Sequence, residues 1–448
     1  MQNNLFQKVY ISTYGCQMND NDTERMYSLL EMADYEPVSS AIEADFVILN
    51  SCSVREKPVH KIRSEVGLYK DYKKKKPHFK IGVAGCVAQQ EKKKLFKMIP
   101  NLDFVIGPDQ VDNIINILEE VKTAKSKVLS TSFDKNPEYQ VQSLIRNPKV
   151  SSFINITKGC NNYCTFCVVP FTRGREKSRP LKDLVTDVKN LVKRGVKEIS
   201  LLGQNVNSYQ SSCGAGFSKL LQVIAEDTDI KRIRYTTSHP KDFDYQLACI
   251  MQKYRSKICD HVHLPVQSGN SDILKLMNRG YTREEYIEKA NMIFETIPGV
   301  SFTTDIIVGF PTEEEKHIQD TYSLFHEVDF DAVFAYKYSP RPFTKAAIWE
   351  DQVSEIEKST RLAKLFEVHK SLAIDSCKKY ENKILEVLVE GVDEKNAIFR
   401  GRGTQNKMIK FTTNEAIAKG VESLVSKIVK VKVIEASPQS LKGVLVNG

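Results

Sequence analysis

The chain has 448 residues, of which 41% are hydrophobic and 27% charged, and this ordinary composition excludes a wholly disordered or fibrous protein. No window approaches the roughly 18 consecutive apolar residues that a membrane span needs, and the first residues lack the apolar core of a secretory signal. We therefore expect a cytoplasmic protein without membrane contact. The net charge of +9 suits a polyanionic partner, and a basic surface without such a partner is the alternative.

The first third of the sequence alternates short apolar runs with helical stretches. One helix is expected over 21–33, because Asn21, Asp22 and Thr23 can cap it. Strands that alternate with helices form parallel sheets, so the pattern predicts a doubly wound α/β domain over residues 6–125. Its strands are predicted at 8–13, 44–49, 80–84 and 103–107.

A polar stretch at 130–150, with Pro137 and Pro148, is typical of a linker. Beyond it the alternation resumes with six strand-and-helix units, followed by a long amphipathic helix at 352–379. Six units predict a partial (β/α)6 barrel over residues 146–379. Its strands are predicted at 153–157, 198–202, 232–237, 261–265, 301–308 and 332–338.

The last 65 or so residues change character and carry short strands separated by glycine turns. This pattern predicts a small all-β barrel of the OB type over residues 380–446. Such barrels often bind nucleic acids, and a purely structural cap is the alternative. Its strands are predicted at 384–390, 397–400, 407–411, 427–435 and 441–446.

Cys160, Cys164 and Cys167 form a C-x3-C-x2-C cluster directly after the first strand of the predicted partial barrel. That is the end of a barrel at which active sites lie. Three neighbouring thiolates suit an iron–sulfur cluster, whereas a zinc site would usually recruit a fourth protein ligand. Three ligands to a four-iron cluster leave one iron open for a substrate or cofactor.

Cys16, Cys52 and Cys86 are far apart in the sequence, but each follows a predicted parallel strand. The carboxyl ends of parallel strands share one edge of a doubly wound sheet, where ligands bind. Gly15 and Gly85 would let the backbone approach a bulky cluster. The placement predicts a second three-cysteine iron–sulfur site, with three buried structural thiols as the alternative.

The other candidate residues have simpler explanations. His261 and His263 share one face of a strand and could face the barrel interior, although hydrogen-bonded core histidines are the commoner explanation. The lysine runs 73–76 and 92–94 are typical of solvated faces, with electrostatic docking of RNA as the alternative. Four cysteines without ligand spacing are expected to be core or surface thiols: Cys213, Cys249, Cys259 and Cys377.

Stretches along nearly the whole chain resemble, in order, motifs of the radical S-adenosylmethionine (SAM) methylthiotransferases. The C-terminal barrel is similar to that family's RNA-binding TRAM domain. The run from Cys167 to Glu176 most resembles the branch that modifies N6-(dimethylallyl)adenosine in tRNA. The matching stretches are TYGCQMN (13–19), NSCSVRE (50–56), GCVAQ (85–89), 158–179, LGQNVNSY (202–209), HLPVQSG (263–269), MNRGYTR (277–283) and DIIVGFP (305–311).

The resemblance implies a tRNA methylthiotransferase that converts N6-(dimethylallyl)adenosine at position 37 to its 2-methylthio derivative. SAM would be used twice, first as a methyl donor to sulfur and then as the source of a 5′-deoxyadenosyl radical. The C2–H bond of adenine is not acidic, so a radical can break it where a general base cannot. The alternatives are a methylthiotransferase acting on N6-threonylcarbamoyladenosine tRNA or on a ribosomal protein, and a non-catalytic RNA-binding iron–sulfur protein.

The resemblance also implies the site residues. Cys160, Cys164 and Cys167 would hold the [4Fe–4S] cluster that binds SAM. A second [4Fe–4S] cluster would be held by Cys16, Cys52 and Cys86. Four residues are further candidates for SAM binding: Phe166, by packing on the adenine or else only on the core, and Gln204, Asn205 and Gln267, by hydrogen bonds.

The expected partners are the tRNA anticodon loop, whose unpaired adenosine 37 is easily flipped out, and a flavodoxin or ferredoxin as reductant. The chain is expected to be a monomer.

Arg173, Arg175 and Arg179 would contact phosphate or substrate, or else form ion pairs. Two departures from the family are Thr312, where glycine is frequent, and the rearranged stretch 401–407, which puts the RNA contact of the small barrel in doubt.

Overall fold

The computed structural model describes residues 7–53, 58–133, 145–146, 148–393, 398–412, 424–438 and 440–446. Three bodies of secondary structure follow one another along the chain: a parallel sheet, a partial barrel and a small closed barrel. Among these residues, every helix is too short or too polar to traverse a lipid bilayer.

The first body is a six-stranded, all-parallel sheet. Its strands are β1 (Gln7–Tyr14), β2 (Tyr35–Pro37), β3 (Phe46–Ser51), β4 (Lys80–Ala84), β5 (Phe104–Ile106) and β6 (Val128–Ser130), in the spatial order β2-β1-β3-β4-β5-β6. Its helices are α1 (Gln17–Met32), α2 (Pro58–Leu68), α3 (Lys70–Lys75), α4 (Cys86–Glu91), α5 (Lys94–Met98) and α6 (Ile114–Thr123).

Both faces of this sheet are covered. Phe46 and Ile48 of β3 pack on one side with residues of α1 and α6, and their neighbours Val47 and Leu49 pack on the other side with α2, α4 and α5. Successive strand residues face opposite sides, so two cores form on one sheet. The predicted doubly wound architecture is confirmed, and the predicted strand at 80–84 matches β4 residue for residue.

Helix α1 begins four residues earlier than predicted. Its N-cap is Cys16, and Asn21, Asp22 and Thr23 lie within the helix. These three polar side chains mimic a capping sequence, but each has a tertiary partner: Asn155, Arg173 and Asn50, respectively. The capping sequence therefore predicted the wrong start for α1, because these three side chains form hydrogen bonds with distant segments instead of capping the helix.

The second body contains eight strands, six of which form the partial barrel. They are β7 (Ser151–Asn155), β8 (Thr157–Lys158), β9 (Lys177–Ser178), β10 (Glu198–Leu202), β11 (Arg232–Tyr235), β12 (His261–His263), β13 (Ser301–Val308) and β14 (Ala332–Lys337). The helices are α7 (Val169–Arg173), α8 (Leu181–Lys193), α9 (Phe217–Asp227), α10 (Tyr245–Lys253), α11 (Ser271–Leu276), α12 (Arg283–Thr296), α13 (Glu315–Glu327) and α14 (Glu355–Lys378).

The barrel strands form two parallel three-stranded sheets, β11-β10-β7 and β12-β13-β14. A bridge between Ile233 and Ile258 joins the two sheets, whereas β7 and β14 are sheet edges without a strand partner among the described residues. The predicted six units are confirmed. The barrel is open on the side between β7 and β14.

The third body is a closed five-stranded barrel, as predicted. Its strands are β15 (Ile384–Asp393), β16 (Ile398–Gly403), β17 (Met408–Thr412), β18 (Ile428–Ala436) and β19 (Leu441–Leu445). Alternate residues point inward, and the rings of Phe399 and Phe411 stack with 5.4 Å between their centroids.

Buried arginines hold the small barrel against the N-terminal ends of the partial-barrel strands. Arg232, the first residue of β11, donates to the carbonyls of Arg402 (2.8 Å) and Glu386 (3.0 Å), and Arg234 donates to Gly403 (3.1 Å). The rearranged stretch 401–407 therefore faces the partial barrel, on the side opposite to the loops that follow its strands.

Thr312 adopts a left-handed backbone with φ of 70°, an arrangement that is strained for a β-branched residue. Its buried hydroxyl has no hydrogen-bond partner among the described residues. We expect Thr312→Gly to raise the free energy of unfolding by about 1 kcal/mol, measured by denaturant titration. Thr186→Gly, in the exposed middle of α8, should instead lower it by about 0.3–0.5 kcal/mol. A loss of stability in Thr312→Gly would show that the threonine is not strained.

Candidate active site formed by two cysteine triads

The first triad lies where three neighbouring strands of the parallel sheet end. Cys16 follows β1 and caps α1, Cys52 follows β3, and Cys86 follows β4 and begins α4. The backbone N–H of Cys52 donates to the carbonyl of Tyr14, which ties two of these loops together (3.0 Å). The convergence expected at the carboxyl edge of the sheet is therefore present.

A buried pair of asparagines, Asn19 and Asn50, holds these loops. The Asn19 side chain donates to Asn50 Oδ1 (3.0 Å), and Asn50 Nδ2 donates to the Asn19 carbonyl and to Thr23 Oγ1 (2.9 Å each). A Cβ at Gly15 or Gly85 would lie only 2.3–2.4 Å from an oxygen of one of these side chains. Both glycines are thus required by this network. The two glycines are predicted from the sequence, whereas the asparagines are not, and their signal in the sequence is that they lie within the stretches 13–19 and 50–56.

The thiols of the first triad influence one another. A hydrogen bond with Cys52 lowers the pKa of Cys16 to about 6, and the positive charge of Arg173 acts in the same direction. Burial raises the pKa of Cys86, which also senses Arg173 and Cys16. Thiolates are the form of cysteine that binds metals, and the lowered pKa of Cys16 favours this form at neutral pH.

Arg173 connects this triad to the partial barrel. It extends from α7 to Asp22 of α1, with 2.8 Å between Nη2 and Oδ2, and both side chains are buried. Lys158 of β8 forms a second buried ion pair with Asp109. Of the three arginines considered for substrate contact, Arg173 and Arg179 form buried ion pairs, the latter with Asp187. Arg175 is exposed.

The second triad lies in the loop between β8 and α7. Gly159 has φ of 77°, and a Cβ there would lie 2.2 Å from the Arg175 carbonyl, so this position requires glycine. Burial raises the pKa of Cys160 to about 11 and that of Cys167 to about 12, and the charge of Cys164 adds to both shifts. The three thiols are therefore close together. Loading a metal there would have to displace their protons.

Arg279, a buried residue of the loop after α11, serves this second triad. Its Nη1 lies 3.4 Å from Cys164 Sγ, while its other nitrogens donate to the Pro265 carbonyl (2.8 Å) and the Tyr281 hydroxyl (2.9 Å). Arg279 therefore places a permanent positive charge beside one sulfur of this triad. No sequence pattern by itself predicts this role for Arg279, which lies within the stretch 277–283.

Both triads border a single cavity of about 690 Å³. Its wall includes Cys16 and Cys52 from the first triad and Cys167 from the second, and this volume is within the usual range for a cofactor site. The other lining residues come from the second body: Phe166, Val168, Val169, Gln267, Asp305, Ile307, Ala335, Tyr336, Lys337, Tyr338, Ser339, Arg341 and Leu362.

The four further candidates for SAM binding divide into two pairs. Phe166 and Gln267 line the cavity, and Phe166 also packs edge-on against Phe310. Gln204 accepts a hydrogen bond from the N–H of Gly159 and so supports the second cysteine loop. Asn205 is buried and donates to Asp242 (2.7 Å). Contact of these residues with SAM stays a prediction.

The donor set of the two triads fits iron–sulfur clusters better than single ions. Within the described ranges, no three His, Cys, Asp or Glu side chains are placed to hold one metal ion. Thiolates that bind a four-iron cluster each hold a different iron, so they stand farther apart than the ligands of one ion. All six residues of the two triads are cysteines, the residue type that holds iron–sulfur clusters, whereas the neighbouring glycines are filled against protein atoms rather than against open space.

The remaining candidates lie outside this site. His261 and His263 both contact Thr303 Oγ1 at 3.0 Å in the barrel interior. Lys73 pairs with Asp103 (2.6 Å), and the run 92–94 is exposed. Cys259 and Cys377 are buried, Cys249 is half-buried and Cys213 is exposed, as expected of core and surface thiols.

Three family models match this chain. Residues 8–107 match the uncharacterized protein family UPF0004, residues 154–325 match the radical SAM superfamily, and residues 378–446 match the TRAM domain.

Curated relatives match over nearly the whole chain. A tRNA-2-methylthio-N(6)-dimethylallyladenosine synthase of Bdellovibrio bacteriovorus is 52% identical over 98% of this chain and 95% of its own length. Proteins of the same name are 42% identical in Thermodesulfovibrio yellowstonii and 41% identical in Aquifex aeolicus, each over 98% of this chain and 99% of their own length.

Solved structures share the fold at low identity. The radical SAM methyltransferase TsrM of Kitasatospora setae, with tryptophan and a SAM analogue bound, matches with a TM-score of 0.59 and 14% identity, over 76% of this chain and 75% of its own. The cobalamin-dependent radical SAM enzyme OxsB matches with a TM-score of 0.53 and 12% identity, over 82% of this chain and 56% of its own.

The ion pair between Arg173 and Asp22 gives a stability test. Removing one partner leaves the other charge buried and unpaired, so Arg173→Leu and Asp22→Leu should each lower the free energy of unfolding by about 3–5 kcal/mol. The double variant should be much less destabilised than the sum of the two, because it leaves neither charge buried. Denaturant unfolding of the wild type, the two single variants and the double variant measures the coupling energy between the two residues. Strictly additive losses of stability would contradict the ion pair.

Proposed function

The chain belongs to the family of tRNA-2-methylthio-N(6)-dimethylallyladenosine synthases, and from this premise we propose its substrate, cofactors and partners. It is a radical SAM tRNA methylthiotransferase, and its proposed substrate is N6-(dimethylallyl)adenosine at position 37 of tRNA. The observation that carries the proposal is the cavity bordered by cysteines of both triads, because a group held by one triad can there reach a group held by the other.

Membership of the radical SAM superfamily brings SAM and one [4Fe–4S] cluster. We assign that cluster to Cys160, Cys164 and Cys167. A second [4Fe–4S] cluster, held by Cys16, Cys52 and Cys86, is supported by the convergence of three strand ends and by the hydrogen bond between Cys16 and Cys52. When bound, these groups supply the methyl group, the sulfur and the radical that removes the C2 hydrogen of adenine.

The residues around the cysteines would bind and orient SAM and keep water out of the cavity. Gln267 presents an amide to the cavity, and Phe166 presents a ring on which the adenine of SAM would pack. Val168, Val169, Ile307 and other apolar side chains in the wall keep water away from a reactive intermediate. Arg173 and Arg279 provide permanent positive charges that offset the thiolates of the two triads.

The tRNA substrate follows from the family and from the TRAM domain. We propose the anticodon loop as the part that enters the cavity, because a base in a single-stranded loop leaves its stack at low cost. The net charge of +9 favours association with a polyanion. A monomeric protein in the cytoplasm, where tRNA is modified, is part of the same proposal.

The outer side of the second cysteine loop offers an entry point for electrons. Tyr163, between two of the cysteines, is 46% exposed, and Leu276 is 39% and Ile348 is 84% exposed. Hydrogen bonds from Thr165 to the Leu276 carbonyl and from Ala346 to the Thr165 carbonyl hold these segments together (2.8 and 2.9 Å). Lys275 and Lys345 are the exposed neighbours of this patch. We propose that an acidic one-electron donor, such as a flavodoxin or ferredoxin, docks here.

The function is tested by nucleoside mass analysis of tRNA from cells that lack this protein. We expect 2-methylthio-N6-(dimethylallyl)adenosine to disappear and N6-(dimethylallyl)adenosine to accumulate. Unchanged levels of both nucleosides, with loss of the 2-methylthio form of threonylcarbamoyladenosine instead, would contradict the proposed substrate. Failure of the anaerobically reconstituted protein to produce 5′-deoxyadenosine from SAM would contradict the enzymatic function.

The two clusters are tested by iron analysis after anaerobic reconstitution. The protein should bind about eight iron atoms per chain, and replacement of either triad by alanine should remove about four. A protein that binds about four irons, all lost on replacing Cys160, Cys164 and Cys167, would contradict the second cluster. The double variant Cys213→Ala and Cys249→Ala, which alters cysteines outside the site, is the matched control and should keep the full iron content.

The docking patch is tested by comparing a protein reductant with dithionite. Lys275→Glu with Lys345→Glu should slow the flavodoxin-dependent formation of 5′-deoxyadenosine about tenfold at low salt, because charge complementarity mainly sets association rates. Turnover with dithionite should not change. Lys189→Glu with Lys193→Glu, two exposed lysines of α8, is the matched charge reversal and should leave both reactions unchanged. Equal slowing with both reductants would contradict the docking patch.

A further inference from the structure

Three large exposed aromatic side chains lie on segments that contribute to the wall of the shared cavity. Tyr336 lines the cavity and is 57% exposed, while Phe343 is 59% and Phe171 is 41% exposed. The rings of Phe171 and Phe343 contact each other, with 6.1 Å between their centroids. We call these three residues the aromatic rim. A contiguous exposed apolar surface marks a binding site more often than chance.

The rim lies where a substrate would enter. Phe171 belongs to α7, whose first residue Val169 lines the cavity, and Phe343 follows closely after Arg341, which also lines it. Tyr336 is on β14, the edge strand at the open side of the partial barrel. A molecule that reaches the cysteines through this opening would therefore pass the three rings.

Phe343 is also held in a strained conformation. Its φ is 71°, a region that bulky residues other than glycine rarely adopt. The turn that contains it is fixed by Thr344, whose N–H and hydroxyl both donate to the Arg341 carbonyl (3.2 and 2.7 Å). An exposed phenylalanine that is strained and adds little to the core is explained by a contact with a ligand, since such outliers cluster at binding sites.

We propose that the aromatic rim receives the target base of the RNA and contacts its N6-dimethylallyl group. This inference rests on the proposed function and names the residues that select its substrate. Unpaired bases stack on aromatic side chains, and a branched hydrocarbon substituent gains from apolar contact. Arg341 and Lys337, which also line the cavity, place positive charge near the rim, and Lys337 is paired there with Glu355 (3.2 Å).

The test is the affinity of anticodon stem-loops that carry adenosine with or without the dimethylallyl group, measured by fluorescence anisotropy. Phe343→Gly is the first variant, because glycine suits the backbone at this position and the fold should be preserved. We expect about tenfold weaker binding of the dimethylallylated RNA and a clearly smaller loss for the unmodified RNA, because the unmodified RNA loses only the stacking of the base. Phe171→Ala, as a second variant, should show the same loss of preference. Tyr245→Ala, which removes a 65% exposed ring on α10, is the matched control and should change neither affinity.

The outcomes separate this inference from the proposed function. Equal weakening of both RNAs would show that the rim binds RNA without reading the dimethylallyl group, and unchanged affinities would show that it does not contact the base. Either result overturns the inference while the wild-type protein still modifies its tRNA. An absence of methylthio transfer by the wild-type protein would instead contradict the proposed function, whatever the affinities of the variants.

Discussion

The guanidinium of Arg173 and the carboxylate of Asp22 hold the carboxyl edges of two parallel-stranded bodies against each other. Each body has its own core and its own cysteine triad, and neither triad alone brings two reactive groups together. A buried ion pair with one partner in each body is costly to separate, because separation leaves a buried charge unpaired. The shared cavity, and the reaction proposed for it, depend on this contact.

Buried arginines also set the electrostatic environment of the two triads. Each triad has one buried arginine nearby, Arg173 for the first and Arg279 for the second, and each arginine also binds neutral or anionic protein groups. Permanent cations next to thiolates reduce the cost of burying negative charge. They also act on the reduction potential of a cluster held there, since hydrogen bonds and charge around the ligand sulfurs tune that potential.

The cysteine triads and the small barrel lie at opposite ends of the partial-barrel strands. The cysteine loops follow the strands, whereas the small barrel is clasped at the strand starts by Arg232 and Arg234. The stretch 401–407, considered for RNA contact from its motif, is turned toward the partial barrel. A tRNA that reaches both the cavity and the small barrel must therefore span the length of the partial barrel, which a folded RNA of that size can do.

The sequence by itself determined the alternation of strands and helices, the architecture of the three bodies and the place of the cysteines after strands, because periodicity and strand-end position are local properties. It missed the short strands β2, β6, β8 and β9. It misplaced the start of α1, since Asn21, Asp22 and Thr23 have the chemistry of a cap and are engaged elsewhere. Only the tertiary structure decided the roles of Asn19, Asn50, Arg173 and Arg279 and the common cavity. These depend on contacts between segments 30 to 150 residues apart, which no local pattern encodes.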